Sequence, residues 1–226
     1  GSVTSINKRG HAVFPGVHGF ERSVELLGKV PVVCAVLGTA AGGPAGRAIL
    51  SHWSVMVDGI SQVFAAGPPV VERSLGQKLT KEELGGPQVA VDLAGTIDNR
   101  VDTEENCFAQ VKRFLSYMPQ NVWEMPPEVT CTDPVDRCDE ELLSIVPRDR
   151  RRPYNMRKLI EHVVDRGSVF EIQPTYGKGL ITVLARMNGK VVGVIANNPM
   201  VYGGAMDVKA ARKQIHFVEL CDCFHI

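Results

Sequence analysis

The stretch from Val32 to Met56 constrains the fold of this chain more than any other. An apolar run, VVCAVLG, opens into the glycine-rich turn TAAGG and continues as PAGRAILSHWSVM. The run has the length and β-branched content of a buried strand, and the segment from Gly43 to about His52 has the composition of a helix start. Strand, tight turn, helix is the reading. Glycine suits such a turn because the backbone must approach a ligand closely and adopt torsions that a Cβ forbids. The free amides at the helix N-terminus carry partial positive charge and point outward, which favours an oxyanion. The blander explanation is that Gly42 and Gly43 only let a helix pack tightly on a strand, and these residues alone leave both explanations open.

Other glycine motifs do not fit. No Gly-Lys-Ser/Thr follows the turn, and the spacing Gly38, Gly42, Gly43, Gly46 is not that of a dinucleotide fingerprint. A GxSxG nucleophile elbow is also absent.

Further along, two structured blocks flank a connector rich in proline and charge. After the glycine turn, short strands are expected around Val55–Val57 and Val63–Ala65, and a helical piece from Pro69 to Ser74. Thr80 with Glu83 makes a capping box for a turn that ends at Gly85-Gly86. Asp102 with Glu105 is expected to cap a longer helix, with Phe108, Val111, Leu115 and Met118 as its core stripe. The connector, from Pro119 to Pro153, carries a brief apolar run, Leu142 to Val146, and four arginines between Arg148 and Arg152. Such a run is normally a solvated surface or salt-bridge cluster. The functional option is that it faces coenzyme A phosphates or an acidic partner. The second block opens with a helix at Met156 to Val164, followed by strands near Val169–Ile172 and Leu180–Met187. An Asn188-Gly189 hairpin then leads to a strand over Lys190–Ala196, the loop NNPMVYGGAMD and a final amphipathic helix.

The 25 basic and 25 acidic residues cancel, so nothing points to nucleic acid or an anionic membrane surface. The uncharged stretch from Val30 to Gly46 is too short and too rich in Gly and Pro to span a bilayer. No signal peptide is visible, and a cytoplasmic location is expected, with the mitochondrial matrix as the eukaryotic counterpart. Six cysteines show neither a CxxC pair nor a histidine at finger spacing, so neither a disulfide framework nor a metal site is expected. Cys131 and Cys138, in the polar connector, are the thiols to examine for exposure.

The stretch VPVVCAVLGTAAGGPAGRAILSHWSVMV resembles the crotonase superfamily. The order of the later motifs looks like one branch of it, the carboxyltransferase (beta) subunits of biotin-dependent acyl-CoA carboxylases of the propionyl-, acetyl- and methylcrotonyl-CoA type. The matching pieces are FAAGPPVVERSLGQKLTKEELGGPQV, FLSYMPQN and IVPRDRRRPYNMRKLIEHVVD, then FEIQPTYGKGLITVLARMNGKVVGVIANNPM and FVELCDCF. The resemblance runs from about His18 nearly to the end, in the right order. It implies an α/β, ClpP/crotonase-like fold as two partial lobes, residues 1–126 and 153–226, joined by a linker over 127–152.

The resemblance also implies a chemistry. Carboxybiotin releases carbon dioxide, the ureido oxyanion takes the proton alpha to the thioester, and the enolate attacks carbon dioxide. The base belongs to the cofactor, which is carried on a separate carrier domain. The protein therefore needs no Ser-His-Asp or paired-carboxylate constellation; it supplies orientation and electrostatics. Gly42 and Gly43 fall on the family's first oxyanion hole. Ala41, Gly85 and Gly86 fall on acyl-CoA-side segments, although a helix cap explains the last two equally well. Asn198, Pro199, Gly203 and Gly204 fall on the biotin-side loop, and Asn197 closes the turn after its strand.

Expected partners are an acyl-CoA, the biotin carboxyl carrier or biotin carboxylase subunit, and further copies of the chain. The family is longer at both ends, and its second oxyanion hole is expected beyond Ile226. Nothing in GSVTSINKRG resembles a coenzyme A segment, so the chain is expected to be a central piece. Val208, Lys209, Ala210 and Ala211 replace the acidic, serine-rich stretch of the family, whereas Lys213 matches. Three alternatives stand beside the carboxylase: a decarboxylase running the transfer in reverse, a catalytically incomplete crotonase-like scaffold, and a simple hydratase or isomerase. The last would need a pocket carboxylate, and the second lobe argues against it.

Overall fold

The computed structural model describes Lys8, Gly10 and residues 18–226 except Val135 and Arg150. Most of the segment GSVTSINKRG therefore lies outside the described residues. After helix α1 (His18–Leu27), the chain enters β1 (Val33–Val36), β2 (Thr39–Ala41), α2 (Gly43–Leu50), β3 (Trp53–Val57) and β4 (Gln62–Phe64). Then come α3 (Pro68–Leu75), α4 (Lys81–Gly85), a π-helical turn (Gln88–Leu93), β5 (Asn99–Val101) and α5 (Glu104–Leu115). The second block holds α6 (Leu142–Ile145), α7 (Met156–Val163), β6 (Phe170–Ile172), β7 (Leu180–Met187), β8 (Lys190–Asn197), a 3-10 turn (Tyr202–Gly204) and α8 (Val208–Cys223).

Parallel pairing organises the first block. The strands run in the order β1-β3-β5, with Val33 opposite Trp53 and Val55 opposite Asn99, while β2 pairs separately with β4. All five residues of β3 are buried, as expected for a strand covered on both faces. Just before β3, His52 extends the pairing by one step: its N–H donates to the Val32 carbonyl at 2.9 Å, and its Nδ1 accepts the Val32 N–H at 2.9 Å. The second block is an antiparallel sheet, β6-β7-β8, turned at Asn188-Gly189, where both residues have positive φ as a two-residue hairpin requires.

One core joins the two blocks. Trp53 stacks on Phe114 at 5.1 Å and meets Phe170 of β6 edge-on at 5.4 Å. Phe217, Leu220 and Phe224 of the last helical segment close the same cluster. Polar ties reinforce it. The Asn99 side-chain amide donates to the Glu171 carbonyl and accepts the Gln173 N–H, so it stands in for one step of backbone pairing. Arg186 donates to the carbonyls of Ser116, Pro127 and Gly189 and lies over the Tyr117 ring.

Two expectations for α5 are corrected. Its N-cap is Thr103, whose hydroxyl accepts the Asn106 N–H, while Asp102 accepts from the Asn106 side chain. Cys107, Phe114, Tyr117 and Met118 face the core, and Phe108 and Leu115 are exposed at 47 % and 42 %. The stripe is rotated by one position because the strands cover α5 from a single side. The connector is also better fastened than its composition suggests. Val129 N–H donates to Gly189, and Arg137 reaches the carbonyls of His162 and Val164. Among the described residues no helix is long and apolar enough to cross a membrane.

Candidate functional site

The glycine turn leads from strand to helix as expected, but it is shorter than TAAGG, because Thr39–Ala41 form β2 on β4; its amides are not equivalent. Gly42 is the N-cap of α2 at φ 65°, ψ −121°, a conformation open to glycine and strained for other residues. Its N–H donates to the Phe64 carbonyl at 3.1 Å, and its own carbonyl accepts the first helical bond, from Gly46. Pro44 has no N–H. Of the amides at the head of α2, those of Gly43 and Ala45 are therefore left without an acceptor among the described residues. Gly43 is exposed, and a Cβ built on it meets nothing within 4 Å. The expected pair is thus divided: Gly42 shapes the turn, and Gly43 presents the donor. Sequence reading missed Ala45, although Pro44 signals that the second helical position is silent.

Ala41 ends β2 opposite Phe64 of β4, and Gly85 reaches β4 from the other side. A Cβ on Gly85 would sit 2.1 Å from the Val63 carbonyl oxygen. Gly86 caps α4, donating to the Glu82 carbonyl at 2.9 Å, and a Cβ there would collide with Glu82. Gly85 permits close packing of α4 on β4, and Gly86 lets the chain leave α4 close over Glu82. The expected Thr80–Glu83 capping box is present in full. Ala41, Gly42, Gly43 and Gly85 thus gather around the C-terminal end of β4.

The second set of residues lies at the end of β8. The Asn198 side chain donates to the Lys178 carbonyl and accepts the Met200 N–H, so its amide is spent on holding the loop. Tyr202, Gly203 and Gly204 all take positive φ. A Cβ on Gly204 would meet Asn197 Nδ2 at 2.5 Å, whereas one on Gly203 meets nothing within 4 Å. Asn197 packs under Gly204 as well as ending the strand. Met200, Tyr202, Met206 and Val208 form an exposed apolar rim, Tyr202 at 83 %, beside Pro199, which is half-buried. Asp207 caps α8 by accepting the Ala210 N–H. Among the described residues no hydrogen bond joins this loop to α2 or β4.

Other groups singled out in the sequence take ordinary places. Cys138 is exposed, Cys131 half-buried and Cys107 buried. Burial pushes the Cys221 thiol up to about 11. Arg148, Arg151 and Arg152 are exposed and form no ion pair among the described residues; the Arg151 N–H donates to Asp149 Oδ1. No cluster of three or more His, Cys, Asp or Glu side chains that could hold a metal ion is found among the described residues. Lys213, matched in the sequence, is buried. Its ammonium donates to the carbonyls of Gln173, Tyr176 and Leu180, and burial pushes its pKa down to about 8.

A parallel sheet that feeds a glycine turn into a helix head, followed by an antiparallel unit with its own glycine loop, defines an α/β protein of the crotonase-like class. The chain belongs to the carboxyl transferase domain family, which it matches over residues 11–226. It is 36 % identical over 207 residues to the carboxyltransferase subunit of propionyl-CoA carboxylase from Haloferax mediterranei, covering 92 % of this chain and 40 % of the relative. It is 35 % identical to the alpha subunit of methylmalonyl-CoA decarboxylase from Veillonella parvula, with 92 % and 41 % covered. Among solved structures, the transcarboxylase 12S hexamer with hydrolysed methylmalonyl-coenzyme A bound superposes with a TM-score of 0.87 at 33 % identity, covering 92 % of this chain and 41 % of that one. The chain therefore spans about two fifths of the length of these relatives.

Proposed function

We propose that the chain is the central part of a carboxyltransferase component of a biotin-dependent acyl-CoA carboxylase, which moves a carboxyl group from carboxybiotin to the alpha carbon of an acyl-CoA. The observation that carries this reading is the head of α2, where the exposed Gly43 N–H has no acceptor among the described residues and open space lies over its Cα. A thioester oxygen placed there gains charge as the enolate forms. A fixed amide strengthens its hydrogen bond to that oxygen at no cost in reorganisation, typically worth about 3–4 kcal/mol per donor. The orphan N–H of Ala45 and the dipole of α2 act in the same sense.

The loop over 198–204 fits the bicyclic ring of biotin in one respect: Gly203 leaves a Cβ-free surface beside the apolar rim of Met200 and Tyr202. Carboxybiotin, when bound, supplies the carboxyl group and the base for the alpha proton. Asn198 keeps the loop in shape, Gly85 packs against β4 on the acyl-CoA side, and Gly86 ends the helix beside it. No hydrogen bond joins the two loops within the described residues, so the reading includes a homo-oligomer in which the second block of one copy faces the first block of another. The likeness to the transcarboxylase hexamer supports this. Acyl-CoA, a biotin carboxyl carrier and a biotin carboxylase subunit are the remaining partners. The compartment is the cytoplasm, or the mitochondrial matrix in a eukaryote, as in the name of the human propionyl-CoA carboxylase beta chain, 35 % identical.

A second reading, a decarboxylase, is favoured by the methylmalonyl-CoA decarboxylase relatives; the same amides serve either direction of transfer. The test is turnover by the full-length protein with carboxybiotin and propionyl-, acetyl- or methylcrotonyl-CoA, and with methylmalonyl-CoA and free biotin in reverse. Carboxylation faster than the reverse supports the first reading. An oligomer inert in both directions supports a scaffold and sinks the enzymatic proposal.

A further inference from the structure

Where the two blocks meet, behind the C-terminal end of α2, lies a cavity of about 230 Å³ to which the carboxyl-transfer reading assigns no role. Its walls come from both blocks: Thr96 and Asp98 from the segment before β5, Gln173 from the turn after β6, and Arg212, Lys213 and His216 from α8. Three cationic or protonatable side chains therefore face one carboxylate. That carboxylate is already committed, because Asp98 Oδ2 accepts from the Ser54 N–H and hydroxyl while Oδ1 lies 3.0 Å from His216 Nε2. Of the further acids, Glu171, whose charge acts on Lys213, is held in a bidentate pair with Arg157, and Glu219, whose charge acts on His216, is exposed.

The cavity thus carries surplus positive charge. The Lys213 ammonium contributes charge but no free proton, since its three donors are taken by carbonyls. Arg212 is different: its guanidinium is exposed at the cavity mouth and makes no hydrogen bond or ion pair among the described residues. A planar fork of five donors in such a setting matches a trigonal or tetrahedral oxyanion. Gln173 adds one more demand. Its Nε2 donates to the Gly95 carbonyl at 3.1 Å, which fixes the carboxamide, and its Oε1 is left buried beside the cavity without a partner among the described residues.

We infer that this seam cavity is a binding site for a small oxyanion, one that carries a proton such as hydrogenphosphate, clamped by Arg212 and bridging the two blocks. A guanidinium without a counterion at the mouth of a half-open cavity is stabilised by an anion, and an anion touching α8 and the 95–98 segment together favours the docked arrangement of the blocks. This is independent of the carboxyl-transfer reading. The anion has two possible sources, a free oxyanion or a phosphate of coenzyme A.

Inorganic phosphate is the probe, titrated into the full-length protein by calorimetry and thermal unfolding at constant ionic strength, with chloride as control. Phosphate should raise the unfolding temperature beyond chloride, and Arg212→Ala should weaken its binding by about tenfold or more. The variant should unfold at the unliganded wild-type temperature, because Arg212 bonds to nothing that folding needs. Ile49→Asp, which places a carboxylate on the cavity wall, should weaken phosphate to a similar degree. Displacement of phosphate by coenzyme A but not by dephospho-coenzyme A would assign the anion to the 3′-phosphate, and no displacement by either assigns a free anion. Equal phosphate affinity in wild type and Arg212→Ala, or no effect of phosphate beyond chloride, overturns the site.

Discussion

Gly42 and Gly43 are neighbours with opposite burdens, and substitution separates them. Gly43 lies at the first position of α2 with open space above it, so Gly43→Val should leave the unfolding temperature near wild type. Its side chain would occupy the place of the thioester oxygen, and carboxyl transfer in the full-length protein should fall about 100- to 1,000-fold. Turnover within a few-fold of wild type would remove this amide from the reaction. Gly42, at φ 65° and ψ −121°, should behave in the reverse manner: Gly42→Ala should cost about 1–3 kcal/mol of stability through backbone strain, read as a fall in unfolding temperature. That the turn needed glycine was legible in the sequence, and Gly42 is the position whose torsions require it. Which of the two keeps a free amide was not legible, because the acceptor for Gly42 is the carbonyl of Phe64, a residue whose proximity only the β2–β4 pairing creates.

Elements place two histidines with opposite tendencies in one seam. His52 must be neutral at Nδ1 to accept the Val32 N–H, and burial holds its pKa below the ordinary 6.5. A lowered folded pKa means that its contribution is complete above about pH 6.5 and is lost as the pH falls below that. His216 is desolvated, which opposes its charge, but the hydrogen bond and the charge of Asp98 prevail and raise its pKa above 6.5. Its contribution is therefore complete below pH 6.5 and lost as the pH rises through the raised value. Unfolding temperatures followed from pH 5 to 8 should show His52→Asn flattening the acidic limb and His216→Asn flattening the other; identical effects of the two variants would refute the assignment. Packing of α4 gives a separate expectation. Gly85→Ala forces a Cβ against the Val63 carbonyl and should destabilise by about 1–3 kcal/mol through overpacking, whatever its effect on coenzyme A. Element type was readable from periodicity and turn chemistry almost throughout, as the Thr80–Glu83 box and the Asn188-Gly189 hairpin illustrate. The buried face of α5 was less so. Phe108 and Leu115 satisfy the same spacing as Cys107 and Phe114, and only the one-sided cover of β1 and β3 decides between them.

In the whole molecule, the two candidate loops lie one in each block, and exposed apolar residues are frequent: Leu75 and Leu143 as well as the rim of the β8–α8 loop. Surfaces of this kind are covered in assemblies. Light scattering on the full-length protein should therefore report an oligomer, and a monodisperse monomer at micromolar concentration would count against a shared site. If one copy supplies Gly43 and another the 198–204 loop, mixed oligomers of Gly43→Val with a loop variant such as Gly203→Val should regain activity that neither parent possesses. The resemblance of motif order made the crotonase-like fold legible in the sequence, but the core that binds the two blocks was not, since Trp53, Phe114 and Phe170 lie in segments with no local sign of their meeting. That aromatic group has an optical consequence. The chain has two tryptophans: Trp123 is 76 % exposed, and Trp53 is fully buried with its indole N–H unpartnered among the described residues. In Trp123→Phe the emission arises from Trp53 alone, and a blue-shifted, poorly quenched spectrum that reddens when Phe170 leaves its edge would let the parting of the two blocks be followed by fluorescence in real time.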